Sequence, residues 1–201
     1  MCARYFLEES PELRPFVEAM NRASLAEAFR ERGKETATGE IRPTDVAPAI
    51  ACSRGGKETV FPMQWGFTGK TLLINARAET AAEKPAFREA WASHRCVLPA
   101  SRYFEWEHGT DEKGRKKTGD KYGLHPRGDA VTWLCGLYRM EEGLPHFVVL
   151  TREAGEGIRF LHDRMPLMLP ETLIREWIRP ENRPEDLLEA ALTEIAYEKA
   201  V

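Results

Sequence analysis

Apolar residues along this chain recur mostly in short runs broken by polar or turn-forming residues, a pattern of strands rather than long helices. Residues 4–7 read as a short strand. Ser10 and Pro11 then open a helical stretch running to about residue 32, with Gly33 as its stop. Pro15 within its first turns predicts a break or a late start. Residues 34–44 are polar and loop-like. Residues 46–53 and 59–67 read as two strands joined by a turn at Gly55-Gly56, and 72–74 as another that delivers Asn75 and Arg77 at its end. A short helix is predicted over 85–93, with Phe87, Ala90 and Trp91 on one side. Strands follow at 95–98, 103–107, 122–125, 131–139 and 146–151, while the charged stretch 110–121 reads as an exposed hairpin loop. Residues 171–178 and 184–192 look helical. Many strands with helices outside them predict an α+β fold, and the absence of repeats or linkers predicts one domain over residues 1–201.

Composition narrows the function. The 201 residues are 42% hydrophobic and 30% charged with a net charge of −3, so no global basic field draws the protein to nucleic acid. Any contact with a polyanion must come from a local patch. No apolar run approaches the ~20 residues that span a bilayer, and no signal peptide is visible. Cys2, Cys52, Cys96 and Cys135 are widely spaced, with no ligand-spaced histidines. This argues against a metal site or a disulfide framework and for the cytoplasm. No cofactor is implied. Thr68-Gly69-Lys70-Thr71 resembles the end of a P-loop, but Gln64 stands where its first glycine belongs, so it reads as a turn.

The second residue carries distinctive chemistry. Once Met1 is removed, Cys2 presents an α-amine and a thiol on adjacent carbons, with reference pKa values of about 7.7–8 and about 8.5. A 1,2-aminothiol captures an aldehyde as an imine and closes a thiazolidine ring on it. The ordinary alternative is a frayed terminus.

Four further strings stand out: Asn75-Ala76-Arg77-Ala78-Glu79-Thr80, Arg95-Cys96-Val97-Leu98-Pro99-Ala100, Tyr103-Phe104-Glu105-Trp106 and His162-Asp163-Arg164-Met165-Pro166. Together with Met1-Cys2 and Arg4-Tyr5, in this order, they resemble the SOS response associated peptidase (SRAP) family. The resemblance implies a barrel-like core of mixed and antiparallel strands with peripheral helices. It implies a monomeric sensor of abasic sites in single-stranded DNA that links itself to them covalently through Cys2, after a removal of Met1 proposed to be autocatalytic. The implied catalytic positions are Cys2, Asn75, Glu105 and His162.

The residue types suit that role. Glu105 can serve as general acid and base for ring opening and dehydration. His162 can donate to the sugar oxygen, and Asn75 can accept from the Cys2 amine. Arg4, Arg77 and Arg164 suit phosphate recognition, and Trp106, Phe67 and Trp65 suit base stacking. Pro43 matches a family loop. Each has a structural alternative: a solvated glutamate, a structural histidine, a turn asparagine, surface ion pairs, or core aromatics. The chain departs from the family pattern at Ala3, where glycine is usual, and at Glu40, where asparagine is usual. It departs again in the short stretch after Phe67, which lacks a Pro-x-Trp, and in the brief segment after Leu192. Two other classes remain open, an N-terminal-nucleophile amidohydrolase or peptidase and a non-catalytic single-strand-binding module.

Overall fold

The fold is seen in a computed structural model that describes residues 2–110 and 115–200. The chain begins with β1 (Tyr5–Leu7), α1 (Arg14–Arg22), α2 (Ser24–Arg30) and β2 (Gly39–Ile41). The hairpin β3 (Val46–Cys52) and β4 (Glu58–Trp65) follows, then β5 (Asn75–Arg77) and α3 (Arg88–Ser93). Next come β6 (Arg95–Ala100), β7 (Arg102–Thr110), β8 (Lys116–Pro126), β9 (Thr132–Glu141) and β10 (Leu144–Glu153). The C-terminal part holds β11 (Arg164–Pro166), α4 (Ile174–Ile178), a 3-10 segment at Pro184–Ala190 and β12 (Ile195–Lys199).

Five strands close into a barrel. β3 pairs with β4 and β6, β6 with β9, and β9 with β10, all antiparallel; a parallel contact between β10 and β4 completes the circle. Farther along β10, β5 and β11 add to the same sheet. A second sheet in the order β12-β8-β7-β1-β2 packs beside the barrel. The expected α+β class with a barrel-like core and outer helices is what the structure shows.

Strand alternation divides the core in two. Phe147 and Val149 of β10 join a cluster with Ala47, Ala49, Ala51, Cys96, Leu98 and Leu134, whereas Val148 and Leu150 face the other way. There they meet Val97, Cys135, Trp91 of α3 and Trp177 of α4. The barrel interior is narrow, which is why β3 sends alanines into it. Gly136 on β9 meets the same limit: a Cβ there would lie 2.9 Å from the Val148 carbonyl oxygen and 3.0 Å from Cys96 Sγ. Pro48 and Pro62 face each other across β3–β4. Neither can donate a ladder hydrogen bond, and neither is asked to, because the β3–β6 and β4–β10 ladders begin at later residues.

Arg95 locks the helices to the barrel. It is 1% exposed. Its Nε donates to Trp177 O at 2.7 Å, and Nη1 donates to Trp91 O and Ala92 O at 2.7 and 2.8 Å. Nη2 donates to Asn182 O at 2.8 Å and to Arg179 O. One guanidinium thus satisfies orphan carbonyls at the C-terminal ends of α3 and α4, where the helix dipoles favour a cation.

Several boundaries differ from the sequence reading. The 10–32 stretch starts as a helix only at Arg14, with Pro15 in its first turn, and breaks where Ala23 is extended (φ −68°, ψ 140°). The polar 34–44 stretch contains β2, and Asn75–Arg77 is itself the strand rather than the end of one. Most notably, the described part of the 110–121 stretch is strand rather than loop, since β7 and β8 pair out to Thr110 and Lys116; residues 111–114 lie outside the described residues. Pairing satisfies the backbone while exposed side chains stay in water, so charge does not oppose a strand there. The brief segment after Leu192 supplies β12, which pairs with β8 from Ile195 to Lys199. Replacing Arg95 by Met strands at least four carbonyls. We expect Arg95→Met to lose about 3 kcal/mol or more in urea unfolding, and an unchanged midpoint would contradict this linking role.

Candidate active site

The site is assembled by the pairing of β1 with β7. Tyr5 lies opposite Tyr103 and Phe6 opposite Arg102, and the Phe104 N–H donates to Arg4 O at 2.9 Å. Cys2 precedes this strand and lies in the same core cluster as Tyr5 and Tyr103, within reach of the charge of Glu105. Cys2 is fully buried, with its Sγ 3.6 Å from Arg4 O, its acceptor. Burial, and then the charge of Glu105, push the thiol well above its ordinary pKa, so it is protonated at neutral pH. Met1, and with it the removal step, lies outside the described residues.

Asn75 opens β5, which pairs in parallel with β10 at Val149. Its Nδ2 donates to Cys2 O at 2.8 Å, while its buried Oδ1 has no hydrogen-bond partner among the described residues. The amide is therefore oriented by the Cys2 carbonyl and keeps one acceptor to offer. Glu105 is 5% exposed. Alternation along β7 places it on the same face as Tyr103, opposite to Phe104 and Trp106. Its charge acts on the Cys2 thiol, on Tyr103 and on His162, which ties these groups into one electrostatic unit.

His162 follows the 3-10 turn Glu156–Ile158 and precedes β11. Its Nδ1 is 2.9 Å from the Arg164 N–H and 2.7 Å from Asp163 Oδ1. One nitrogen cannot accept from the first and donate to the second. The Asp163 side chain is 81% exposed, so the backbone bond is the one that fixes the ring. That leaves the proton on Nε2. Burial lowers the His162 pKa, and the Glu105 and Asp163 carboxylates oppose this only in part, so the ring is a neutral donor.

Three residues that the sequence reading passed over also belong here. The Tyr5 and Tyr103 hydroxyls are buried without partners among the described residues, and both feel the Cys2 thiol. Burial foremost pushes both phenols up. His108 lies just past a register shift between Trp106 and His108, and its ring centroid is 6.2 Å from that of His162. Nothing in the string Glu107-His108-Gly109 signals this, because the shift in register depends on the partner strand.

The proposed DNA contacts are placed unequally. Arg4 binds Glu40 and lies over Trp106, 5.6 Å from the ring centroid. Arg77 is exposed at the end of β5, and Pro43 is half-buried in the turn after β2. Arg164 is held by Glu79: Nη1 and Nη2 each donate at 2.8 Å, and Nη2 also donates to Thr151 O. This pair joins the Asn75–Thr80 and His162–Pro166 strings and holds the Glu79 pKa down. Phe67 and Trp65 are fully buried. Phe67 packs against Phe87 with Arg139 above its ring, and Trp65 stacks on Phe147 and donates to Ile74 O. Neither offers a base an open face, because both serve the core. Among the described residues, no group of three or more His, Cys, Asp or Glu is arranged to hold a metal, and no helix is long and apolar enough to cross a membrane.

We expect His162 to titrate below the ordinary histidine pKa of about 6.5 in an NMR pH series. The negative charge of Glu105 favours the imidazolium, so Glu105→Gln is expected to lower that pKa further; a rise would contradict the arrangement.

The sequence profile described as SOS response associated peptidase (SRAP) matches residues 1–200. The chain is 31% identical over 172 residues to the abasic site processing protein YoaM of Bacillus subtilis, covering 77% of this chain and 74% of that protein. It is 30% identical over 141 residues to the abasic site processing protein YedK of Escherichia coli, covering 65% and 60% of the two chains. The crystal structure of a phage-related protein from Bordetella bronchiseptica shares the fold, with a TM-score of 0.74 at 24% identity over 99% of this chain and 94% of that one.

Proposed function

Because this chain belongs to the SOS response associated peptidase (SRAP) family, we propose that it processes abasic sites in single-stranded DNA, acting as a monomer that forms a thiazolidine cross-link through Cys2. Relatives such as YoaM and YedK carry the name of abasic site processing proteins, which supports the substrate class. The observation that carries the mechanism is the burial of Cys2 between Asn75 and Glu105, with His162 in the same electrostatic unit.

Loss of Met1 frees the Cys2 amine, and Asn75 Oδ1 accepts one of its N–H bonds and aims its lone pair. The Nε2–H of His162 donates to the sugar oxygen as the closed hemiacetal opens to the aldehyde. The amine adds to the carbonyl carbon, and the carbinolamine loses water as Glu105 delivers a proton to the departing oxygen. The imine carbon then accepts the sulfur. The thiol is protonated, so its proton must leave during this attack; the Glu105 carboxylate left by the dehydration takes it, and the iminium nitrogen, which kept its own proton when water departed, becomes the neutral ring nitrogen. Aldehyde and aminothiol thus become thiazolidine and water. The same groups serve the reverse reaction. An amidohydrolase would need a ready thiolate in the first step, which a buried thiol beside a carboxylate disfavours.

Protein lacking Met1, mixed with a single-stranded oligonucleotide bearing one abasic site, is expected to give an adduct that survives a denaturing gel. Cys2→Ala should abolish it, and Glu105→Gln should slow its formation by about 10²–10⁴-fold. An equally stable adduct from the Cys2 variant would falsify the thiazolidine assignment.

A further inference from the structure

The outward face of the five-stranded sheet carries a cluster that the covalent chemistry leaves unused. Trp106 lies opposite Lys121 across β7–β8, and Glu40 opposite Phe6 across β1–β2. One carboxylate gathers three cations there. Glu40 Oε1 accepts from Arg4 and, at 3.2 Å, from Arg42, while Oε2 accepts from Lys121. Lys121 Nζ sits 3.8 Å from the Phe104 centroid and 5.5 Å from that of Trp106, the ring that Arg4 also approaches.

The plain reading is a structural ion pair joining β2, β1 and β8. Charge and access argue for more. Three cations against Glu40 and the Asp45 carboxylate beside Arg42 still leave a positive surplus on a protein of net charge −3. Two neighbouring acids are engaged elsewhere, Glu198 with Arg102 and Asp120 with Lys199. The Arg4, Lys121 and Glu40 side chains are 34, 25 and 21% exposed, so they are held in place yet reachable. Arg4 is two residues from Cys2, so their Cα atoms are at most ~7 Å apart.

We propose that this cluster is the docking site for a backbone phosphate of the strand beside the lesion, with Arg4, Arg42 and Lys121 as its ligands and Glu40 standing in the phosphate's place in the free protein. A carboxylate and a phosphate both present paired oxygens to a guanidinium fork, and the half-buried Trp106 gives the adjoining base a ring to stack on. Glu40 keeps the cations poised over the aromatic rings and is the group an incoming phosphate must compete with. Burial opposes ionisation of Glu40, but the bonds from Lys121 and Arg4 prevail and hold its pKa at about 2, so the competitor is charged at every physiological pH. The inference rests on the DNA-processing reading.

The test is the noncovalent affinity for a single strand carrying a tetrahydrofuran abasic analogue, measured over a salt series. The analogue has no aldehyde, so the readout is independent of the cross-link. Lys121→Gln and Arg42→Gln are each expected to weaken binding about three- to tenfold and to reduce the slope of log affinity against log salt by about 0.7. Glu40→Gln is expected to tighten binding by a similar factor. Unchanged affinity and slope in both cation variants, or weaker binding in Glu40→Gln, would overturn the phosphate site. The expected shifts without any cross-link to a true abasic site would overturn the thiazolidine chemistry and leave this site standing.

Discussion

The short ladder between β1 and β7 is the interaction on which the site depends. It is only a few residues long, yet it fixes the first residues of the chain against the strand that carries Glu105. A free terminus ordinarily frays, because few contacts repay the entropy of ordering it. Here Tyr5 packs at 5.4 Å from Trp65, which itself stacks on Phe147 of the barrel, so the terminus is held by the core. Asn75 then grips the Cys2 carbonyl from the barrel side. Cys2 is thus placed by both sheets at once.

Burial sets the chemistry of that residue. A desolvated thiol near a carboxylate keeps its proton, as the proposed order of reaction, amine before thiol, requires. His162 and the inward Glu105 sit in different environments, the kind of difference that separates acid from base roles in paired groups. The Tyr5 and Tyr103 hydroxyls, without hydrogen-bond partners among the described residues, add two more polar atoms to this buried region.

Charge is partitioned as carefully. The acidic average conceals arginines with distinct duties. Arg95 is buried and holds two helix ends, Arg164 is bound by Glu79, and Arg77 stands in solvent. Arg4 shares Glu40 with Arg42 and Lys121 on the outer face of the sheet. Arg4, Arg77 and Arg164 all flank the family strings in the sequence, and only their partners tell them apart.

By itself the sequence determined the α+β class, most strands, the helices and the four strings that mark the family. These are legible because local periodicity and ordered motifs are properties of the chain alone. Alternation of apolar residues located β3, β4, β6, β9 and β10 but not their closure into a barrel, since a parallel contact such as β10–β4 joins residues far apart in the chain. The strands within the charged 110–121 stretch, β2 and β12 stayed hidden because partners rather than hydrophobicity stabilise them. The same limit governs the site. Cys2, Asn75, Glu105 and His162 were readable as types in strings, whereas the burial of Phe67, the Arg164–Glu79 pair, the meeting of His108 with His162 and the gathering of cations on Glu40 were decided only by tertiary structure. Each depends on which side chain a distant strand places opposite, and register is a property of the assembled sheet.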